Sequence, residues 1–264
     1  MSGFETEWLA LREPEDKRAR APALVNILSR YLQAMPEPFI LDIGCGTGST
    51  WRSLESRVPD RTRWMLLDHD PVLLEEAERS IGNDHAVTFR TFDLNQLPDL
   101  PLTAVSAVTA SALFDLVSED FCSAFSDRIT AQGCGLYAAL NYDGVIRWTH
   151  RHPLDDEMVD AFNRHQQTDK GFGKALGPAA SICLKRLLEA RGYQVEAMPS
   201  PWRMDGTAAA LQKAFLSGFR QPLKEMSKHP EAEIEDWLAF RFAAIAAPES
   251  LCEVGHTDII ALPA

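Results

Sequence analysis

The sequence predicts an α/β fold built on a doubly wound parallel sheet, and three observations support this prediction. Short apolar segments typical of buried strands alternate with helical segments over the first half of the chain. Three of these strands end in an aspartate, namely Asp42, Asp68 and Asp93. A glycine-rich turn over residues 44–48 leads from the first strand into a helix. Because open parallel sheets bind ligands beyond the carboxyl ends of their strands, these features also predict a ligand site at that edge.

The elements follow one another in a regular order. A helical stretch from about Glu5 to Gln33 is predicted to break near Pro14 and Pro22. Strands are then predicted over residues 38–43, 63–68, 85–92, 105–111 and 135–141, with helices over 49–56, 71–81 and 118–131. Beyond residue 141 we expect a short strand over 145–148, followed by a polar segment to about 177. A helix over 178–191 and a strand over 193–198 come next. The chain then continues as a mostly helical segment over 211–247, interrupted around Pro222 and Pro230, and ends in a strand over 258–262.

Size and composition limit the classes of function. A chain of 264 residues with 45% apolar residues is expected to form one large domain with its own core. The net charge of −12 argues against long-range attraction to nucleic acid or anionic membranes. No apolar run approaches the roughly 20 residues that span a bilayer, the first residues lack the pattern of a secretion signal, and the cysteines are scattered. We therefore expect a cytoplasmic protein that interacts with neither nucleic acid nor membranes.

The glycine turn predicts a nucleotide-type site, and its neighbours bear on the ligand. A dinucleotide fingerprint has the pattern Gly-x-Gly-x-x-Gly or Gly-x-Gly-x-x-Ala. Counted from Gly44, its third conserved place is Ser49 rather than glycine or alanine, so the match is imperfect. Asp42 lies two residues before Gly44, and no Lys or Arg occurs from residue 42 to 50. A carboxylate there would repel a phosphate but would attract an ammonium or sulfonium group. The pattern therefore favours S-adenosylmethionine over a nicotinamide cofactor.

The other two strand-end acids suit a nucleoside. Asp68 lies 68 − 42 = 26 residues after Asp42, near the spacing at which an acid accepts hydrogen bonds from ribose hydroxyls in related folds. Asp93 is placed to accept one from an exocyclic amine. The alternative is that such acids only cap helices or end strands, as Asp70 before Pro71 is expected to do.

Four segments carry a resemblance to a known family: Leu41-Asp42-Ile43-Gly44-Cys45-Gly46-Thr47-Gly48, Leu66-Leu67-Asp68-His69-Asp70-Pro71, Phe92-Asp93-Leu94 and Val108-Thr109-Ala110-Ser111-Ala112-Leu113. In this order they resemble the class I S-adenosylmethionine-dependent methyltransferases. The resemblance implies a Rossmann-like, mostly parallel seven-stranded sheet whose last strand is antiparallel, with helical cap insertions. One departure is Thr103-Ala104, where the family often has an acid at the start of the fourth strand.

The resemblance also implies a role for each matching residue. Gly44, Gly46 and Gly48 would line the methionine and ribose, and Asp42 would organise the site near the amino group. Asp68 would hold the ribose hydroxyls, with His69 beside it. The implied S-adenosylmethionine-binding set is Asp42, Gly44, Cys45, Gly46, Gly48, Asp68, His69, Asp93, Leu94, Ala110 and Ser111, in which Asp93 and Leu94 face the adenine and the last two lie near the methionine end.

Acceptor-site candidates are fewer, because methyl transfer from a sulfonium needs a general base only when the acceptor must lose a proton early. Tyr142 and Asp143 follow the fifth strand, where they either line the acceptor pocket or form a turn. The polar segment over residues 163–174 is either a solvated loop or a lid that carries Phe172 between two glycines. If it is a lid, His165 is the general-base candidate.

Several charged and metal-binding candidates remain open. Arg147, Lys170 and Arg203 either bind an acidic acceptor or are surface cations, and Arg12 or Arg18 either meets the methionine carboxylate or forms a surface salt bridge. His150 and His152 have no third ligand nearby, so we predict an exposed loop and no metal.

The domain organisation and function follow from these assignments. We expect a single methyltransferase domain over residues 1–264, with an N-terminal helical cap over 1–36, a cofactor-binding half over 37–141 and substrate-cap insertions over 142–177 and 207–250. The expected reaction is methyl transfer to an O, N, S or C atom of a small-molecule substrate, by a monomer or homodimer. The alternatives are a non-methylating enzyme that uses the same cofactor for alkyl transfer or cyclisation, and a non-catalytic cofactor-binding module.

Overall fold

Two helices at the start of the chain precede the sheet. The structure, a computed structural model, describes residues 6–82 and 86–264. Helix α1 spans Thr6–Ala19 and α2 spans Pro22–Gln33. Pro22 opens α2, as predicted, because a helix tolerates proline at its first position. The break predicted at Pro14 is wrong: Pro14 lies inside α1, where Glu13 and Asp16 on either side of it are held by tertiary contacts that outweigh one lost hydrogen bond.

The sheet confirms the predicted doubly wound, mostly parallel architecture. Its strands are β1 (Phe39–Ile43), β2 (Arg63–Asp68), β3 (Val87–Thr91), β4 (Ala107–Ser111), β5 (Gly135–Trp148), β6 (Tyr193–Pro199), β7 (Trp202–Met204) and β8 (Cys252–Pro263). They are ordered β3-β2-β1-β4-β5-β8-β6, and β7 pairs with β8. The first five strands run parallel, while β8 is antiparallel to β5, β6 and β7. The short β7, which was not predicted, adds an eighth strand to the expected seven.

The remaining helices are α3 (Ser49–Leu54), α4 (Pro71–Ile81), α5 (Glu119–Ala131), α6 (Asp155–Gln166), α7 (Ala180–Glu189), α8 (Ala209–Ser217), α9 (Arg220–Met226) and α10 (Glu231–Ala244). Asp70 caps α4 by accepting a hydrogen bond from the Val72 amide, as predicted. The interruption predicted at Pro230 is confirmed. The one predicted at Pro222 is displaced, because this proline sits in the first turn of α9, where it is tolerated.

Two expectations for the second half of the chain need correction, and one for the first half falls partly outside the described residues. Strand β5 does not end at Asn141 but continues to Trp148, because β8 pairs with it across two register shifts. Helix α6 lies within the segment expected to be irregular, and its buried side chains recur at helical spacing. The predicted third strand began at His85, which lies outside the described residues; β3 begins at Val87.

Buried side chains form three clusters. Two of them cover the two faces of the sheet. The third, which we call the cap core, joins α6, α8, α9 and α10 to β5, β7 and β8; its largest members are Trp202, Phe219 and Trp237. In the parts of the chain that the structure describes, no helix is both long and apolar enough to cross a membrane.

Candidate active site

A cavity opens at the carboxyl ends of β1, β2 and β4, where the sequence predicted a ligand site. Seven of the predicted residues line it: Gly44, Gly46, Asp68, His69, Asp93, Leu94 and Ser111. A second, smaller cavity adjoins it over the glycine turn and is lined by Cys45, Thr47, Ser49 and Thr50. Leu9 and Arg12 from α1 line both cavities. Of the other predicted residues, Asp42 and Ala110 are buried in the sheet beneath, and Gly48 precedes α3.

The glycine turn has a backbone conformation that other residues rarely adopt. Gly44, Gly46 and Gly48 have φ angles of +61°, +54° and +84°. The amide of Cys45 donates a hydrogen bond to the Leu67 carbonyl over 2.9 Å, which holds the turn against β2. A Cβ atom on Gly46 would lie 3.4 Å from Leu9, so glycine keeps the space between the turn and α1 open.

Asp68 is positioned from both sides at the end of β2. Its Oδ2 accepts a hydrogen bond from the Gly46 amide over 2.8 Å, and its Oδ1 accepts one from the Asp70 amide over 3.0 Å. His69 Nδ1 lies 3.3 Å from Oδ1. Each carboxylate oxygen has a further lone pair, so this fixed carboxylate can accept hydrogen bonds from a ligand in the cavity.

Asp93 does cap a turn, as the alternative interpretation expected. Its Oδ1 accepts a hydrogen bond from the Asn95 amide over 2.9 Å at the start of the 3₁₀ turn Leu94–Asp99. It nevertheless lines the cavity beside Leu94. Capping and ligand contact are therefore compatible at this position.

Asp42 is fully buried below the glycine turn. Its Oδ1 accepts a hydrogen bond from Thr109 Oγ1 over 2.6 Å, while Oδ2 has no hydrogen-bond partner in the described parts of the chain. Burial raises the pKa of Asp42 to about 7, against the opposing effects of the Thr109 hydrogen bond and the Arg20 charge.

Arg20 is a buried cation that the sequence analysis missed. It lies between α1 and α2, where its Nη2 is 3.2 Å from Ser111 Oγ. Its Nε and Nη1 find no hydrogen-bond acceptor among the residues described. The sequence does contain a signal for Arg20, namely its spacing from Arg12 and Asp16. The three residues recur every four positions, and residues at this spacing lie on one side of a helix.

Arg12 and Asp16 form the wall that α1 presents to the site. Arg12 Nε donates to Asp16 Oδ2 over 2.8 Å, and the guanidinium lies 5.1 Å from the centre of the Trp202 ring. Trp202 Nε1 donates to Asp16 Oδ1 over 2.8 Å. Arg12 thus forms a salt bridge, yet it is mostly buried and lines both cavities. Arg18, the other candidate, is exposed and paired with Glu15.

The three predicted catalytic residues lie outside the residues that line either cavity. Tyr142 and Asp143 are inside β5; the Tyr142 hydroxyl donates to Asn163 Oδ1 over 2.7 Å, and Asp143 accepts from the Val145 amide over 3.0 Å. His165 is in α6, where its ring nitrogens lie 3.4 Å from Glu225 and 3.4 Å from Lys170. Burial and the Lys170 charge lower the pKa of His165.

Phe172 does reach the cavity. It lies between Gly171 and Gly173, whose amides both donate to Asp169 Oδ1, and its ring centre is 5.2 Å from that of Phe121. Residues 169–173 therefore form a tight turn that places the Phe172 ring in the wall of the cavity.

The remaining charged candidates lie apart from the two cavities. Arg147 is exposed, Arg203 pairs with Glu253, and His150 and His152 bond to the backbone. Over residues 6–82 and 86–264, no group of three or more His, Cys, Asp or Glu side chains could hold a metal ion.

Comparisons with known proteins agree with this geometry. Residues 40–131 match a family model described as a methyltransferase domain. A search of the curated proteins found no match. Among solved structures, the chain is similar to the cyclopropane-fatty-acyl-phospholipid synthase-like protein from Lactobacillus casei ATCC 334, with a TM-score of 0.53 and 14% identity over 94% of this chain and 98% of that one.

Two further solved structures match with lower TM-scores. The putative sarcosine dimethylglycine methyltransferase from Galdieria sulphuraria has a TM-score of 0.48 and 12% identity over 90% of this chain and 84% of its own. The phosphoethanolamine N-methyltransferase 2 from Haemonchus contortus, solved with S-adenosyl-L-methionine, has a TM-score of 0.48 and 14% identity over 92% of this chain. This chain spans 53% of the length of that Haemonchus enzyme.

At these identities the likeness to solved structures concerns the fold. The match to a methyltransferase domain, however, covers β1, the glycine turn, Asp68, Asp93 and β4, the segments that build the cavity. The cavity is therefore built largely by the part of the chain that matches a methyltransferase domain.

Proposed function

We propose that this chain transfers the methyl group of S-adenosylmethionine to a small-molecule acceptor. The observation that carries the proposal is the cavity at the carboxyl edge of the sheet, which is bounded by the glycine turn, by Asp68 and by α1. Leu9 over the turn and Phe172 opposite the sheet edge narrow this space. A narrow cavity on a protein with a net charge of −12 suits a small molecule better than a nucleic acid.

The residues present fit the cofactor along its length. Asp68 would accept hydrogen bonds from the ribose hydroxyls, and Asp93 and Leu94 would face the adenine beside Leu73 and Phe92. The smaller cavity would take the amino-acid end. Its walls carry Arg12 and Asp16. Arg20 and Asp42 lie beneath it, and each has polar atoms that lack a hydrogen-bond partner among the described residues. This set of opposite charges matches a group that has both an ammonium and a carboxylate.

The cofactor supplies an activated methyl group on a positively charged sulfur. The chain's own contribution is to orient the two reactants and to exclude water. The glycine turn and Asp68 fix the nucleoside end, and Leu113, Leu116 and Phe172 give the cavity an apolar wall. Holding an acceptor in line with the methyl group at near-contact distance accounts for much of the acceleration in a reaction of this kind.

The proposal includes the domain assignment. Residues 37–141 would bind the cofactor and residues 1–36 would cover it. The insertions over 142–177 and 207–250 share the cap core, which supports their acting as one unit that selects the acceptor. We further propose a cytoplasmic monomer or homodimer.

Calorimetry on the full chain tests cofactor recognition. We expect S-adenosylmethionine and S-adenosylhomocysteine to bind with Kd values on the order of micromolar and NAD to show no binding. Gly46→Arg should weaken S-adenosylhomocysteine binding at least about 100-fold, because the new side chain must occupy the space below Leu9. Gly206→Arg is the control, since nothing lies within 4 Å of the Cβ position there.

Radiolabel placement tests the reaction itself. With cofactor labelled in the methyl group, label should move to an acceptor; label retained in methylthioadenosine would instead indicate alkyl transfer. The proposal fails if the wild-type chain binds neither S-adenosylmethionine nor S-adenosylhomocysteine, or if Gly46→Arg binds as the wild type does.

A further inference from the structure

Three buried polar side chains from three elements come together beside Arg12. Asp115 belongs to the 3₁₀ turn Phe114–Leu116 that follows β4, Tyr142 to β5 and His256 to β8. Tyr142 and His256 are register partners whose ring centres lie 6.2 Å apart. The His256 ring also lies 5.0 Å from Trp202, over which the Arg12 guanidinium is stacked. We call Arg12, Asp115 and His256 the polar cluster.

Asp115 is a buried carboxylate whose hydrogen bonding is incomplete. Only 7% of the residue is exposed, and its Oδ1 has no hydrogen-bond partner in the described parts of the chain. Leu113 and Leu116, which lie on either side of it in sequence, both line the main cavity. Since an unpaired buried carboxylate is unfavourable, an incoming hydrogen-bond donor would stabilise it.

His256 has the same property. It is 5% exposed, and its Nδ1 lacks a partner among the residues described. Burial and the nearby Arg12 charge lower the pKa of His256 to about 3, so the ring is neutral at physiological pH. A neutral imidazole offers a hydrogen bond without adding charge. Arg12 itself directs Nε and Nη2 to Asp16.

The strand order separates this cluster from the nucleoside end of the cavity. Along the sheet the order is β3-β2-β1-β4-β5-β8. Asp93 follows β3 and Asp68 ends β2, while the glycine turn follows β1. A cofactor held by these residues therefore extends from β3 towards β4. Asp115 follows β4 and His256 lies in β8, so the polar cluster lies on the side of the cavity away from Asp68 and Asp93, the side from which an acceptor would reach the methyl group. Arg12 lines both cavities, whereas Asp115 and His256 are not among the residues that line either one.

We propose that Asp115 accepts the proton of a protic acceptor group, a hydroxyl or an amine, which Arg12 and His256 help to orient. This inference rests on the proposed methyl transfer. The acceptor oxygen or nitrogen forms a bond to the methyl carbon as the carbon–sulfur bond breaks, and the electron pair of that bond remains on sulfur. The proton released from the acceptor atom passes to Asp115 and from there to solvent.

The test uses three probes that share an aromatic ring and differ in the polar group: phenol, benzylamine and benzoate. Each is titrated by calorimetry into the chain saturated with S-adenosylhomocysteine. We expect phenol or benzylamine to bind at least about tenfold more tightly than benzoate, because Asp115 attracts a hydrogen-bond donor and repels an anion. Asp115→Asn should abolish this preference and leave S-adenosylhomocysteine affinity within about twofold.

The matched control is Asp120→Asn, which removes the same charge from an exposed position in α5 and should retain the preference. The inference is overturned if benzoate binds best, if no probe binds, if Asp115→Asn keeps the preference, or if it weakens S-adenosylhomocysteine binding in a folded protein. Failure of the wild-type chain to bind S-adenosylhomocysteine would instead reject the proposed function.

A pH series on the wild-type chain keeps the inference testable if Asp115→Asn does not fold. Burial raises the pKa of Asp115 to about 6, with the Arg12 charge opposing. Arg12 and Tyr142 lie near Asp115, and His256 lies beside Tyr142. Between pH 5 and 8 His256 stays neutral, and Tyr142, whose pKa is raised by burial, stays protonated. The preference for the protic probes should therefore disappear as the pH falls through about 6. A preference that is constant over this range would overturn the inference.

Discussion

At the scale of single residues, the buried charges under the glycine turn decide how this site responds to pH. Asp42 and Arg20 lie below the turn, and each has atoms without a hydrogen-bond partner in the described chain. Residues 42–50 contain no Lys or Arg, and this local lack of positive charge disfavoured a phosphate ligand in the sequence. The fold supplies Arg20 from outside that window, so the charge of the site is more balanced than its local sequence indicates.

The titration of Asp42 gives a prediction about stability. Its pKa of about 7 in the folded chain exceeds the value of about 4 expected in the unfolded chain. The folded state thus binds this proton more tightly, and the stability that Asp42 contributes at low pH is lost as the pH rises through about 7. Asp42→Asn should lack that loss, so its unfolding free energy should rise relative to wild type by on the order of 2 kcal/mol between pH 5 and 8.

Urea denaturation at several pH values measures this difference. Asp60→Asn, which changes an exposed acid in a loop, is the control and should follow the wild type throughout. Parallel curves for Asp42→Asn and wild type would show that Asp42 does not titrate in this range.

At the scale of elements, hydrogen bonds from Arg52 connect α1 to the glycine turn. Arg52 in α3 donates two hydrogen bonds to Glu13, each over 2.6 Å, and a third to the Thr47 carbonyl over 2.7 Å. The same helix places Leu9 and Arg12 on the cavities. Cofactor affinity should therefore depend on a salt bridge whose residues need not touch the cofactor.

Glu13→Gln should weaken S-adenosylhomocysteine binding about two- to fivefold, since an ion pair of this exposure contributes up to about 1 kcal/mol. The difference between variant and wild type should shrink in about 0.5 M salt, which screens the pair. Glu76→Gln removes a comparable pair with Arg79 on the exposed side of α4 and serves as the control for calorimetry. A salt-independent loss in Glu13→Gln would point to a cause other than this ion pair.

At the scale of the whole molecule, Asp155 links α6 to α10 within the cap core. It accepts a hydrogen bond from Trp237 Nε1 over 2.9 Å and lies 3.5 Å from Arg241 Nε. Arg241 is 1% exposed and stacks 4.7 Å from the Trp148 ring centre. Helices α6 and α10, which are distant in sequence, are therefore joined by a buried charge pair.

Asp155→Ala should lower the unfolding free energy by about 3 kcal/mol, because it leaves the Arg241 charge buried without its partner. The neighbouring Asp156→Ala removes an acid whose side chain is 87% exposed and should change it by less than about 0.5 kcal/mol. Urea denaturation gives both values. Equal effects of the two substitutions would mean that the Asp155–Arg241 pair does not stabilise the cap.

Short-range chemistry was enough to predict the cofactor half of the molecule. The bounds of β2 and α4 match their predictions, because an apolar run, a capping aspartate and a first-turn proline act within a few residues of one another. The glycine turn and the strand-end acids were found for the same reason, and they line the cavity or support it from beneath.

The N-terminal wall of the cavities and the polar cluster were decided by contacts between distant parts of the chain. Arg12 and Arg20 come from the N-terminal segment, and Asp115 lies near Arg12 and Tyr142. Strand β5 passes Asn141 because β8 pairs with it. None of these contacts joins residues that are close in sequence. Local patterns predict where a strand or helix forms, whereas the pairing and packing of whole elements determine which buried side chains meet.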